Sequence, residues 1–274
     1  MAAPLPEFAN PPVSEVALSV VFAPLENWRN AHAGLYWGRI LDRYPHSESH
    51  PPVMSQVEKF DQGQTQGQTV RLEFSNLSNP DLQRVWFLSE PATRLLQIQR
   101  DRFTINWRKV SGDEAYPRYA KELRQSFEKE WNQFSAFLAE QKIGTPEISQ
   151  CEVIYVNDML KGENWEEFSE AMSLFEPWWK RGTDGFLPPI ENLNLGGSFR
   201  MPEDRGRLHF AVQRVIRSID SREAVQLQFI ARGKPNSSDT KDILAWMDMG
   251  REWVVRGFAD LTSGRAHKMW GRTA

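Results

Sequence analysis

The sequence predicts an α+β fold: a broad twisted antiparallel sheet with helices on one face. Three observations lead there. Short runs alternating apolar and polar residues recur along the chain, as half-buried strands require. Two long segments instead place apolar residues every three or four positions, the pattern of amphipathic helices. The order strand, helix, several strands, long helix is met twice, so an internal duplication is expected in element order more than in sequence identity.

Val13–Phe22 (VSEVALSVVF), entered through two prolines, mixes alternation with β-branched residues and reads as a strand. Ala33, Trp37, Ile40 and Tyr44 then fall at helical spacing, and Pro45 supplies the stop. HSESHPP reads as a loop. Strand-like runs follow at VMSQVEKF, TVRLEF and RVWFLSE, with the Gly/Gln run DQGQTQGQ as a turn between the first two. The stretch LLQIQRDRFTINWRK, Leu95 to Lys109, reads as a hairpin turned at Arg100-Asp101. That pairing sets Ile98 against Phe103, Leu96 against Ile105 and Arg94 against Trp107, all on one face. The other face carries Gln97, Gln99, Arg102, Thr104, Asn106 and Arg108. The tip lacks the Asn-Gly or Asp-Gly of two-residue turns, so a longer or bulged turn stays open. The clearest helix follows, with Ala120, Leu123, Phe127, Trp131, Phe134 and Leu138 in step.

The order then restarts. EISQCEVIYVNDML is a strand resembling the first in character. NWEEFSEAMSLFEPWW is expected to be a helix with Trp165, Phe168, Met172, Phe175 and Trp179 as its stripe. Strands are expected at NLNLGGSFRM, RLHFAVQRVIR and AVQLQFIAR. A last long helix carries Ile243, Met247, Val254, Phe258 and Leu261 in step, with Gly250 and Gly257 on or near that face. The halves 1–146 and 147–274 are expected to join side by side into one compact unit. TATA-binding-protein and helix-grip folds share this element order, an analogy of fold alone.

Composition narrows the function classes. The net charge is −3 and both halves are close to neutral, which argues against a strong nonspecific binder of nucleic acid or anionic membranes. A local patch remains compatible with that balance. The 11 tryptophans are expected mainly in the core or at its rim. Cys151 is the only cysteine, which excludes intramolecular disulfides and zinc knuckles, and its strand context predicts an inert buried thiol. No segment is long and apolar enough to span a bilayer, and the N-terminal stretch lacks the basic-then-apolar pattern of a secretion signal. A cytoplasmic location is the expectation.

Several segments together resemble a sporadically distributed bacterial family of about this length: NPPVSEVALSVVFAPL, HAGLYWGRILDRYP, RVWFLSE, LLQIQRDRFTINWRK and YPRY. In the second half only CEVIYVN and the terminal HKMW join them. None of these is a catalytic signature, and the resemblance implies no activity and no role for any residue. The family's patchy distribution is like that of genes in mobile or defence-related loci.

Candidate sites come from local chemistry. Arg100, Arg102, Asn106, Arg108 and Lys109 are candidate contacts to an anion, a nucleic acid or a protein, since guanidinium forks suit carboxylate and phosphate. The RNP pattern, with glycines beside exposed aromatics, is missing from RDRFTINW. In the long connection WWKRGTDGFLPP, Trp178, Lys180 and Arg181 are candidate interface anchors, while Trp179 continues the helix stripe inward. His46 and His50 are four apart, but prolines flank them and a third ligand is missing, so no metal site is expected. His32, His209 and His267 stand isolated. Glu163, Glu166, Glu167 and Glu170 read as a solvated helix face. NLGGSF has neither phosphate-loop nor dinucleotide spacing, and no nucleophile elbow occurs. The expectation is thus a non-enzymatic binding or regulatory protein without cofactor, metal or membrane attachment, acting on a protein partner or as a homo-oligomer. Two alternatives stand beside it: nucleic-acid binding on the polar sheet face, and a small-ligand pocket between sheet and long helix.

Overall fold

The structure, a computed structural model, describes residues 4–60, 83–112, 114–176 and 192–273. Two strands form its axis, β1 (Val13–Phe22) and β6 (Ile148–Leu160), paired antiparallel with Leu18 opposite Val153. On the β1 side lie β5 (Arg102–Arg108), β4 (Arg94–Gln99), β3 (Arg84–Leu88) and the edge strand β2 (His46–His50). On the β6 side lie β9 (Glu223–Gly233), β8 (Arg207–Ile216) and the edge strand β7 (Asn194–Arg200). Among the described residues this makes one open nine-stranded sheet, antiparallel throughout. The predicted α+β class is the observed one.

Period-two alternation gives the sheet two unlike faces. One row across the strands reads Phe87, Leu96, Ile105, Leu18, Val153, Ala231, Leu208, Phe199. The adjacent row, on the other face, reads Trp86, Gln97, Thr104, Ser19, Glu152, Arg232, Arg207, Arg200. The apolar face takes the helices. Phe103 stacks on Phe134 and meets Phe127 edge-on, both from α2 (Arg124–Glu140). Tyr36 of α1 (Asn30–Ile40) packs between Phe134 and Phe87. The 22-residue α4 (Thr240–Leu261) crosses β6, β8 and β9. It comes close through two glycines. A Cβ on Gly250 would stand 3.2 Å from Val153, and one on Gly257 would stand 2.7 Å from Leu208.

The hairpin has the expected register: Ile98 faces Phe103, Leu96 faces Ile105 and Arg94 faces Trp107, around a two-residue turn. Elsewhere the structure departs from expectation. HSESH is edge strand β2, not a loop, because its backbone completes the ladder of β3 whatever its side chains. VMSQVEKF makes no ladder; it crosses the polar face as an extended strap. The helix expected from Asn164 shrinks to α3 (Phe168–Ala171) and one 3-10 turn, because its Phe175 pairs with Thr262 in an isolated β-bridge. TVRLEF, DQGQTQGQ and the WWKRGTDGFLPP connection lie outside the described residues.

One deviation matters for the site. The helix leading into α2 opens with a π-helical turn, Tyr119–Leu123. The extra residue in that turn rotates Tyr119 inward to a buried position and leaves Ala120 exposed, against the predicted stripe.

Candidate ligand-binding cavity

Burial on the apolar face is incomplete where the π turn and α4 diverge. A cavity of about 400 Å³ lies there. Its floor is Val13 of β1 with Tyr155 and Asn157 of β6, and Arg251, Val254 and Phe258 of α4 form one wall. The π turn supplies Tyr119 and Lys121 opposite, and the N-terminal segment around Phe8 covers the outside. That segment is held by the C-terminus: Ala9 N–H donates to the Gly271 carbonyl, Asn10 N–H to that of Trp270, and Phe8 meets Phe258 edge-on.

Polar groups converge inside. The hydroxyls of Tyr116 and Tyr155 are 2.9 Å apart. Tyr119 donates to Asp248 at 2.9 Å, and the Arg124 guanidinium holds that carboxylate at the same distance. The Arg251 guanidinium lies 5.3 Å from the centre of the Tyr119 ring. Its Nε is buried without a hydrogen-bond acceptor, and among the described residues no carboxylate pairs with it. Asp248, one turn away, is already committed to Tyr119 and Arg124. Burial pushes the pKa of Tyr116, Tyr119 and Tyr155 upward and Arg251 draws all three partly back, so they stay neutral hydrogen-bond donors. The π turn has no side-chain cap, so the helix start adds its partial positive charge at this end of the cavity.

A second, more polar cleft of about 750 Å³ lies across the N-terminal segment and shares Tyr116 and Arg118 with the first. Lys109 lines it. So does Glu114, whose carboxylate accepts the N–H groups of Val110, Ser111 and Gly112. Its slight burial raises the Glu114 pKa, but those bonds outweigh it and bring the value down to about 2. The charges in this cleft are mixed, with Arg217 3.9 Å from Asp158 and Arg222 2.8 Å from Glu163.

The residues singled out on the hairpin do not converge. Arg100 at the turn donates to the Leu25 carbonyl and lies 3.5 Å from Glu26. Arg102, 8% exposed, is 2.5 Å from Glu152 and also reaches Ser55. Asn106 donates to Glu15 and accepts from Gln97. Arg108 donates to the Ala92 carbonyl and stands 5.8 Å from the Trp86 ring. Six residues of one strand, roughly 20 Å, separate Arg102 from Arg108. Trp178, Lys180 and Arg181 lie outside the described residues.

The polar face is overlaid at one end by the strap. Gln99 takes Val53 by both its N–H and its carbonyl, and Gln150 accepts from Glu58 N–H while donating to the Gln56 carbonyl. Glu58 accepts from Arg207 and meets His209, each at 2.6 Å. Beneath the strap, Glu152 lies between Arg102 and Arg232.

His46 pairs with Glu90, and His50 lies against the Trp86 ring. Among the described residues no three His, Cys, Asp or Glu side chains form a metal-binding group, and no helix is long and apolar enough to cross a membrane. No family model matches the chain, and no curated relative does. Among solved structures it is similar to DynU16, a protein of the dynemicin biosynthetic locus, at 13% identity, covering 90% of this chain and 97% of that one. The TM-score is 0.24, a level at which the likeness assigns neither fold nor function.

Proposed function

We propose that this is a binding protein for a small organic anion, held in the cavity between the sheet, the π turn and α4. The observation that carries the reading is Arg251: a guanidinium lining the cavity with no carboxylate paired to it among the described residues. A bound carboxylate would supply that partner through charge-assisted hydrogen bonds to its terminal N–H groups. The size lies within the range of small-molecule sites. Calorimetric titration with naphthoate tests it: binding that Arg251→Gln weakens at least tenfold, with an unchanged melting temperature, is expected. Equal affinity in both proteins would refute the role of Arg251.

A protein partner is the second reading, and one observation favours it. Ile216 and Ile219, at the β8–β9 turn, are 66% and 46% exposed. Isolated apolar residues are ordinary at a surface, but two on one turn make a small patch. Concentration-dependent sedimentation that disappears in the Ile216→Ser/Ile219→Ser variant would support it; a monomer at all concentrations would remove self-association as its form.

A further inference from the structure

We infer that the cavity selects an aromatic carboxylic acid bearing a second oxygen acceptor. This rests on the reading of the cavity as an anion site and names the chemistry of the molecule that would fill it.

The acid end follows from the cations present. Arg118, at the rim, already donates to the Phe8 and Ala9 carbonyls. Lys121 is exposed to solvent. That leaves the planar fork of Arg251 as the inner cationic group, and one such fork matches a carboxylate in geometry and charge.

The aromatic body follows from the walls. Phe8, Tyr116, Tyr119, Tyr155 and Phe258 all line the space. Tyr116 and Tyr155 stand at 68° to each other with ring centres 6.2 Å apart, and Arg251 sits over Tyr119. Ring edges and faces at such angles favour a flat partner over a saturated one of equal volume.

The second oxygen follows from the tyrosine pair. With the two hydroxyls 2.9 Å apart, one donates to the other and the acceptor of that bond keeps its own proton to give. Burial disfavours losing either proton, so the pair offers one donor and seeks an acceptor such as a phenol or ketone oxygen.

Calorimetry with hydroxynaphthoate, naphthoate and decahydronaphthoate separates the elements. Hydroxynaphthoate is expected to bind about three- to tenfold tighter than naphthoate, from one buried hydrogen bond. Naphthoate should in turn bind about two- to tenfold tighter than its saturated counterpart, from ring contacts. The Tyr116→Phe/Tyr155→Phe variant should abolish the first difference and keep the second. Equal binding of flat and saturated acids, still dependent on Arg251, would overturn the aromatic assignment and leave the anion site standing. Binding of none of the three acids would overturn both. Sulfate and phosphate provide the remaining comparison. If they bind Arg251-dependently and tighter than naphthoate, the site serves an inorganic anion and the inference is wrong.

Discussion

Glu152→Gln tests whether the layer between strap and sheet is dry. Glu152 is 1% exposed, with Arg102 at 2.5 Å, Arg232 at 3.2 Å and Gln150 donating at 2.9 Å. Glutamine keeps the volume but removes the charge, and it turns an NH2 group toward one guanidinium. Two buried cations then share a neutral acceptor. Removing one partner of a buried pair costs about 3–5 kcal/mol, against about 0.2–1 for an exposed one. For a protein near this size that is a fall of about 6–20 °C in melting temperature. Urea denaturation and calorimetry of the two proteins read it directly. The sign of the pH effect is also set. Burial raises the Glu152 pKa, but Arg102 and Arg232 outweigh it and the net value lies below the usual 4.5. Its stabilisation is therefore present above the unfolded-state pKa and is lost as pH falls through the lower folded value. The variant should lack that part of the acid-side decline. A loss under about 1 kcal/mol with an unchanged acid limb would show a hydrated cluster and refute the closed strap.

Two glycines give different expectations. Gly233→Ala would set a Cβ 2.1 Å from the Arg205 carbonyl oxygen and 2.8 Å from the Trp246 ring, neither able to yield, so denaturation should show a loss of at least about 1–3 kcal/mol. Gly257→Ala meets the end of the Leu208 side chain at 2.7 Å and the Phe229 ring at an ordinary 3.5 Å, and the gain in helix propensity of about 0.8–1 kcal/mol should leave its unfolding midpoint close to that of the parent.

The hairpin was legible because alternation of period two decides which residues share a face, and Ile98, Phe103, Leu96 and Ile105 obey it. The stripes of α2 and α4 were legible for the same reason at period 3.6. The π turn was not. One inserted residue moves Tyr119 inward, and no residue type announces it. VMSQVEKF alternates as a strand would, yet side-chain amides of Gln99 and Gln150 receive its backbone in place of a neighbouring strand. The polarity of the hairpin's outer face was correct. That Arg102 and Asn106 would be tied down inside it depended on residues far along the chain, Glu152 for the first and Glu15 for the second. No local pattern marks Arg251, and only the fold gives Asp248, three residues earlier, to Arg124.

The strap also bears on the order of assembly. Glu58 reaches His209 across a sequence separation of 151 residues, and Arg232 reaches Gln56 across 176. Such contacts repay their loop-closure entropy only once β8 and β9 are already in place beside β6. A chain emerging from synthesis holds this segment long before its receptors exist. Closure over the polar face thus becomes a late folding event, and protection of the Glu58 amide from hydrogen exchange should trail that of β1 and β5. The segment reports that the last strands have arrived.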